Sequence, residues 1–211
     1  MALLSLTVLL GLAGILNAKV LDCDTPPPVL VVNDTVFRGL IGKWHYVIGA
    51  TNNTIYQKMM SKTDNSFCYI LPLNETAFYS KEATNMGDKC HEDEETPYIL
   101  ANNNTSFYLK GNSSTALQVR FLIPNVMTML DYWEYTQFEF YYSVFVTAQS
   151  KDVSQETVEK FKQQLECFGF SKEEIFIPAK EKDACPFKEG ENKYQKELEE
   201  YWAKQQSEDT Q

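Results

Sequence analysis

Arginine and histidine are scarce in this sequence of 211 residues: Arg38 and Arg120, with His45 and His91, are all it has. Gripping a polyanion takes clustered Lys and Arg, whereas this chain sets 29 acidic against 19 basic side chains, a net charge of -10. Nucleic acid and acidic membrane surfaces are therefore poor partners. Two histidines do not make a His-rich centre, and no Cys-x-x-Cys pair occurs, so no metal and no cofactor is expected. Nor is there a Ser-His-Asp arrangement, a Gly-rich phosphate loop or a paired-carboxylate motif, so no catalytic residue is nominated and the chain is not expected to be an enzyme. Aromatic residues, by contrast, are plentiful. Three Trp, 12 Tyr and 13 Phe in a chain that is 44% hydrophobic exclude general disorder. The length suits one ordinary domain.

Long apolar runs are missing after the first. Leu3 to Leu16 is mostly apolar and ends in Leu16-Asn17-Ala18, which suits the core and small-residue cleavage site of a signal peptide, residues 1–18; a spanning helix needs about 20 residues. The mature chain would start at Lys19, as a secreted, extracellular product with no stable membrane insertion. Asn-x-Ser/Thr sequons at Asn33, Asn52, Asn74, Asn103, Asn104 and Asn112 fit the same compartment, where they mark glycosylated surface loops. The neighbours Asn103 and Asn104 have room for one glycan between them. Cys23, Cys68, Cys90, Cys167 and Cys185 are odd in number, so two bridges and one free thiol is the simplest count, with the pairing left open by the sequence alone.

From Gly42 to Thr147 short aromatic and β-branched runs alternate with polar clusters: Trp44–Ile48, Phe67–Leu71, Ala77–Ser80, Ser106–Leu109, Leu117–Ile123 and Phe138–Val146. This spacing predicts an all-β barrel or sandwich. Tyr141 to Thr147 is apolar or aromatic on both faces, so one side is covered and the other meets something non-aqueous, which a barrel with a lined interior provides. After Lys151 the period changes. Asp152 or Ser154 can cap a helix carrying Val158, Phe161, Leu165 and Phe168 on one face, with Gly169 as its stop. The barrel domain would run over 19–187. Residues 188–211 form a charged tail, helical at most, whose thin stripe of Tyr194, Leu198, Tyr201 and Trp202 suggests a solvated or loosely docked segment.

Gly42-Lys43-Trp44, opening the first strand, resembles the Gly-x-Trp signature of the lipocalins. With a signal peptide, about eight strand-like runs and one late amphipathic helix, the resemblance covers nearly all of the mature chain. It implies an eight-stranded antiparallel up-and-down barrel with one helix outside. In such a barrel Gly42 and Trp44 close the narrow end, and a basic side chain after the last strand, here Lys151, lies across the indole. Within that family the chain is most similar to the α1-acid glycoprotein (orosomucoid) group and the fish plasma proteins that bind tributyltin or tetrodotoxin. The shared features are Cys23 followed by Pro-rich sequence, the sequon at Asn33, Gly42 to Trp44, Leu165-Glu166-Cys167 and Lys182-Asp183-Ala184-Cys185. That resemblance implies bridges Cys23–Cys167 and Cys90–Cys185. The chain departs from the group in its extra Cys68, in lacking a recognisable Thr-Asp-Tyr motif, and in sequons that only partly coincide.

If the barrel is a lipocalin calyx, its interior holds one small ligand. Strand alternation then predicts inward Tyr46 and Ile48 after Trp44, inward Phe78, Ser80 and Glu82, and inward Tyr141, Ser143 and Phe145. Glu82, eight residues before Cys90, resembles a pocket glutamate of the α1-acid glycoprotein group. An aromatic pocket with an acid favours hydrophobic or amphipathic ligands that carry positive charge, xenobiotics and toxins included, bound by a monomeric carrier whose receptor the sequence does not name. Two rival readings attach to other features. Cys68 resembles the barrel thiol of lipocalin-type prostaglandin D synthase, an isomerase, or could capture thiophilic organotin compounds. The glycans and tail would suit an immunomodulatory acute-phase protein acting through its surface.

Overall fold

The aromatic and β-branched runs form strands because each presents a row of large side chains at alternate positions, and two such faces can be buried at once when the sheet closes. The computed structural model describes residues 28–87, 89–136 and 139–208; the expected signal peptide and Cys23 lie outside the described residues. The chain runs α1 (Asp34–Leu40), β1 (Gly42–Thr51), α2 (Thr54–Met60), β2 (Thr63–Asn74), β3 (Ala77–Met86), β4 (Lys89–Glu92), β5 (Thr96–Leu100), β6 (Phe107–Leu109), β7 (Asn112–Ile123), β8 (Val126–Thr136) and β9 (Glu139–Ala148). Then come α3 (Gln155–Cys167), a single turn at Lys172–Glu174, β10 (Ile175–Phe176) and α4 (Asn192–Glu208).

Neighbouring strands are antiparallel, and β9 returns to pair with β1, which closes the sheet. Both β4 and β5 pair with β3, so they share one position in the ring, and β10 pairs only with Gly49 and Ala50 of β1. Eight barrel positions result, the expected closed antiparallel barrel. One end is plugged. Asn33 caps α1 by accepting from the Val36 amide at 2.9 Å, and Phe37 and Leu40 of that helix are buried with Ile41, Trp44, Ile70, Phe78 and Phe107. The Trp44 indole, 1% exposed, donates to the Leu40 carbonyl at 2.8 Å, so the closing aromatic also satisfies an orphan carbonyl at the helix end.

Helix α3 lies outside, as its period predicts. The Ser154 side chain accepts from the Thr157 amide, and Val158, Phe161 and Leu165 pack on Val47, Ile48, Ala50, Val144, Val146 and Ala148. Gly169, at φ +92°, ends the helix in the left-handed conformation that glycine adopts at least cost.

The tail departs from expectation. Rather than a loose segment, α4 and the residues before it cover the outer face of β2 and β3. Phe187 and Tyr194 are buried among Phe67, Tyr69, Leu71, Tyr79 and Ala83, and the expected bridge Cys90–Cys185 fixes the start of the tail. Glu191 meets Lys43 at 2.6 Å and the Tyr69 hydroxyl at 2.9 Å, Glu197 accepts from Tyr79, and Lys193 meets Glu95 at 2.7 Å. Of the predicted stripe, Leu198 and Tyr201 pack against the plugged end, and Trp202 stays 38% exposed.

Candidate functional site: the barrel interior

Inward-facing positions follow from the register. Trp44 stands opposite Cys68, and Cys68 opposite Glu82, so all three share the inner face. Phe78, Ser80 and Glu82 line β3 as alternation requires. Phe78 sits low, its ring 4.8 Å from Phe107 and 5.2 Å from Tyr98, and it belongs to the plug. Ser80 faces Ile70 and Thr96 across the neighbouring strands. On β9, Ser143 pairs with Thr51 and Asp131, and Phe145 with Met129 and Gly49. Tyr141 is half-buried near the open end.

Tyr46 faces inward, its ring 6.3 Å from that of Phe145 and its hydroxyl donating to the Phe176 carbonyl at 3.1 Å. Ile48 does not follow it. A register shift between Tyr46 and Ile48 adds one residue to β1 and reverses the alternation, so Ile48 is fully buried outside, against α3. The inward positions beyond the bulge are Gly49 and Thr51. A Cβ on Gly49 would meet the Tyr46 hydroxyl at 2.7 Å and the Val144 carbonyl at 2.9 Å, so the inner wall there has no room for a side chain. Ser143 is fully buried and its hydroxyl donates to Thr51 at 2.7 Å, which ties β9 to β1.

Glu82 is an acid turned into the barrel. Its Oε1 accepts from Ser66 at 2.7 Å and Thr84 at 2.9 Å. Burial raises its pKa above the ordinary carboxylate range, an effect these two hydrogen bonds oppose and the charge of Asp93 reinforces. No ion pair to it occurs among the described residues. Asp131, which sequence reasoning missed, is a second such acid. Burial lifts its pKa from 3.8 to about 6, and its Oδ1 is shielded from water with no hydrogen-bond partner. Tyr98, and Tyr56 of α2 over the open end, feel both acids: burial raises both phenols first, then Asp131 and Glu82 at Tyr98, and Asp131, Asp93 and Glu82 at Tyr56. Glu82, Cys68 and Asp131 are surrounded by protein yet each keeps some accessible surface.

Cys68 is a free thiol whose pKa is pushed well up by burial and by Glu82. Such a thiol is protonated at neutral pH and is a weak nucleophile. Lys151 is exposed, and its carbonyl accepts from the Lys180 ammonium at 2.8 Å. Among the described residues the cation–π contacts belong to Lys43, Lys81 and Lys193 and none involves Trp44. Beside Gly42 stands the Gln149 amide, 3.4 Å from where a Cβ would lie. Cys167 is disulfide-bonded, while Cys23, its expected partner, is outside the described residues. Asn33, Asn74, Asn103, Asn104 and Asn112 are exposed, and half-buried Asn52 accepts from the Tyr142 amide at 2.9 Å. A separate cleft of about 570 Å³ lies outside the plugged end, between Arg38, Asn74, Asn104 and Tyr201.

No family model matches the chain. The sequence is similar to Alpha-1-acid glycoprotein of Bos taurus, 26% identical over 188 residues that cover 88% of this chain and 91% of that protein. Among solved structures the chain is similar to the siderocalin Ex-FABP, described as functioning through dual ligand specificities, with a TM-score of 0.59 and 14% identity over 69% of this chain and 97% of that one. It is similar to a second siderocalin, described for a dual ligand binding mode, with a TM-score of 0.61 and 15% identity over 72% and 96% of the two chains. A dog lipocalin allergen gives 0.54 and 14% over 69% and 97%. These structural likenesses are likenesses of fold.

Proposed function

Because the chain has the closed barrel of its lipocalin neighbours and resembles alpha-1-acid glycoprotein along nearly all its length, we propose that it is a lipocalin and a secreted, glycosylated carrier of small hydrophobic ligands bearing positive charge. The observation that carries this reading is Glu82: a carboxylate with no cationic partner, desolvated among Tyr46, Cys68 and the aromatic floor. Burying about 200 Å² of apolar ligand surface contributes roughly 5 kcal/mol, while micromolar affinity requires about 8 kcal/mol. Shape, hydrogen bonds and a ligand cation meeting Glu82 under aromatic faces together supply the difference. The bridge Cys90–Cys185 and the exposed sequon asparagines support an extracellular setting. The raised pKa of Cys68 argues against the isomerase alternative.

The test compares size-matched cationic and neutral aromatic ligands on the wild type and on Glu82→Gln by calorimetry. The variant is expected to lose about tenfold in affinity for the cation and less than about twofold for the neutral compound. Equal losses for the two would sink the role of charge.

A further inference from the structure

We propose that the calyx is built for a ligand with two separated cationic centres, one held by Glu82 and the other by Asp131. The inference rests on the cation-carrier reading and deepens it. Its basis is topological. Glu82 stands on β3 and Asp131 on β8, and in the ring of eight positions β1, β2, β3, β4/β5, β6, β7, β8, β9 these two strands are half a turn apart. The acids therefore face each other from opposite walls instead of forming one cluster. The register fixes both as inward: Glu82 shares the face of Trp44 through Cys68, and Asp131 the face of Leu117 and Ser143.

Neither acid has what a buried carboxylate ordinarily has. Salt bridges among the described residues engage Asp34, Glu92, Glu95, Glu156, Glu159, Glu191 and Glu200, all outside the calyx. Glu82 is held in place by two hydroxyls, while Asp131 leaves one oxygen with neither solvent nor donor. A lone acid would fit a lipophilic amine. Two acids on opposite walls, with the Tyr98 and Tyr56 rings within the field of both, fit a molecule that places positive charge at each end and apolar or aromatic surface between.

Calorimetric titration of an α,ω-diaminoalkane series from hexane to dodecane, beside the n-alkylamines and n-alkanols of the same lengths, tests this on the full mature chain. On the wild type the best diamine should bind at least about tenfold tighter than its monoamine, with an optimum at one length that matches the gap between the walls. Asp131→Asn should abolish that preference while leaving the monoamine within about threefold; Glu82→Gln should weaken both amines. Equal binding of diamine and monoamine, or an Asp131→Asn variant that weakens both alike, overturns the two-site proposal and leaves the carrier reading standing. Binding of the alkanols with no gain from either amine overturns the cation reading itself. Should Asp131→Asn fail to fold, the wild type still decides, because its diamine series either shows a preference over the monoamines with an optimum at one length or does not.

Discussion

The two faces of the β2–β3 ribbon carry the same kinds of residue, aromatics and acids, with opposite outcomes. On the outer face every acid that approaches is answered. Glu92 meets Lys81 at 2.7 Å and accepts from the Lys188 amide, and Glu95 meets Lys193 and the Tyr194 hydroxyl. These contacts hold the Glu92 and Glu95 carboxyls below their ordinary pKa. On the inner face Glu82 is only hydrogen-bonded by hydroxyls and its carboxyl is driven up. The outer face is a completed interface within one chain. The inner face keeps charge that a further molecule would complete.

If the outer face is completed by burial, truncating its anchor should have the largest effect. Tyr194→Ala is expected to cost about 3–4 kcal/mol in urea denaturation and to release α4 to rapid hydrogen exchange, with calyx binding retained. Unchanged protection in α4 would show that the tail is held elsewhere.

The next effect is smaller and opposite in sign on the two faces. The Asp131 carboxyl titrates near 6 when folded and near 3.8 when unfolded, so between those values the folded state binds the extra proton and stability rises as pH falls from about 6 to about 4. The titratable groups that feel it, Tyr98 on β5 and Tyr56 on α2, titrate well above this window, and the Glu82 carboxyl across the barrel shifts in the same direction. Glu92 and Glu95, with lowered pKa values, contribute stability above about 4.5 that is lost as pH falls below it. Asp131→Asn should flatten the upper part of the pH–stability curve and leave the acid limb intact. A curve with the same slope in wild type and variant would place Asp131 in water.

The smallest effect belongs to the rim of the tail interface. Glu191→Gln removes the charge from a pair with Lys43 whose side chains are 26% and 30% exposed, and should cost no more than about 1 kcal/mol, less at high salt. A loss comparable with that of Tyr194→Ala would mean that charge rather than burial holds the tail.

Period and punctuation made the barrel and α3 legible: alternation over β3 and β9, a Ser cap, a Gly stop. Trp44 was legible because its neighbours and its place in the chain agree. Ile48 was misread because the bulge inserts its extra residue among Tyr46, Val47 and Ile48, all apolar or aromatic, where neither alternation leaves a mark. Asp131 was missed for a different reason. An acid within Met127 to Trp133 is visible, but which wall it faces depends on its pairing with Ser143, and pairing between distant strands is not written in local pattern. Asn33 and Asn53 each cap a short helix through their own carboxamide oxygen, a role hidden at Asn33 by its reading as a sequon. The tail's charge run concealed its docking because its acids find Lys and Tyr partners only once Phe187 and Tyr194 are buried.

The bridge from Cys90 to Cys185 ties the tail to the barrel just ahead of Phe187 and α4. If α4 lifts away, it does so as a tethered arm, so rebinding is intramolecular at a local concentration that a short tether sets in the millimolar range. The outer wall can therefore open briefly and close again without losing its cover, and reduction of that one bond would turn a fast, self-healing fluctuation into a search by a much longer chain.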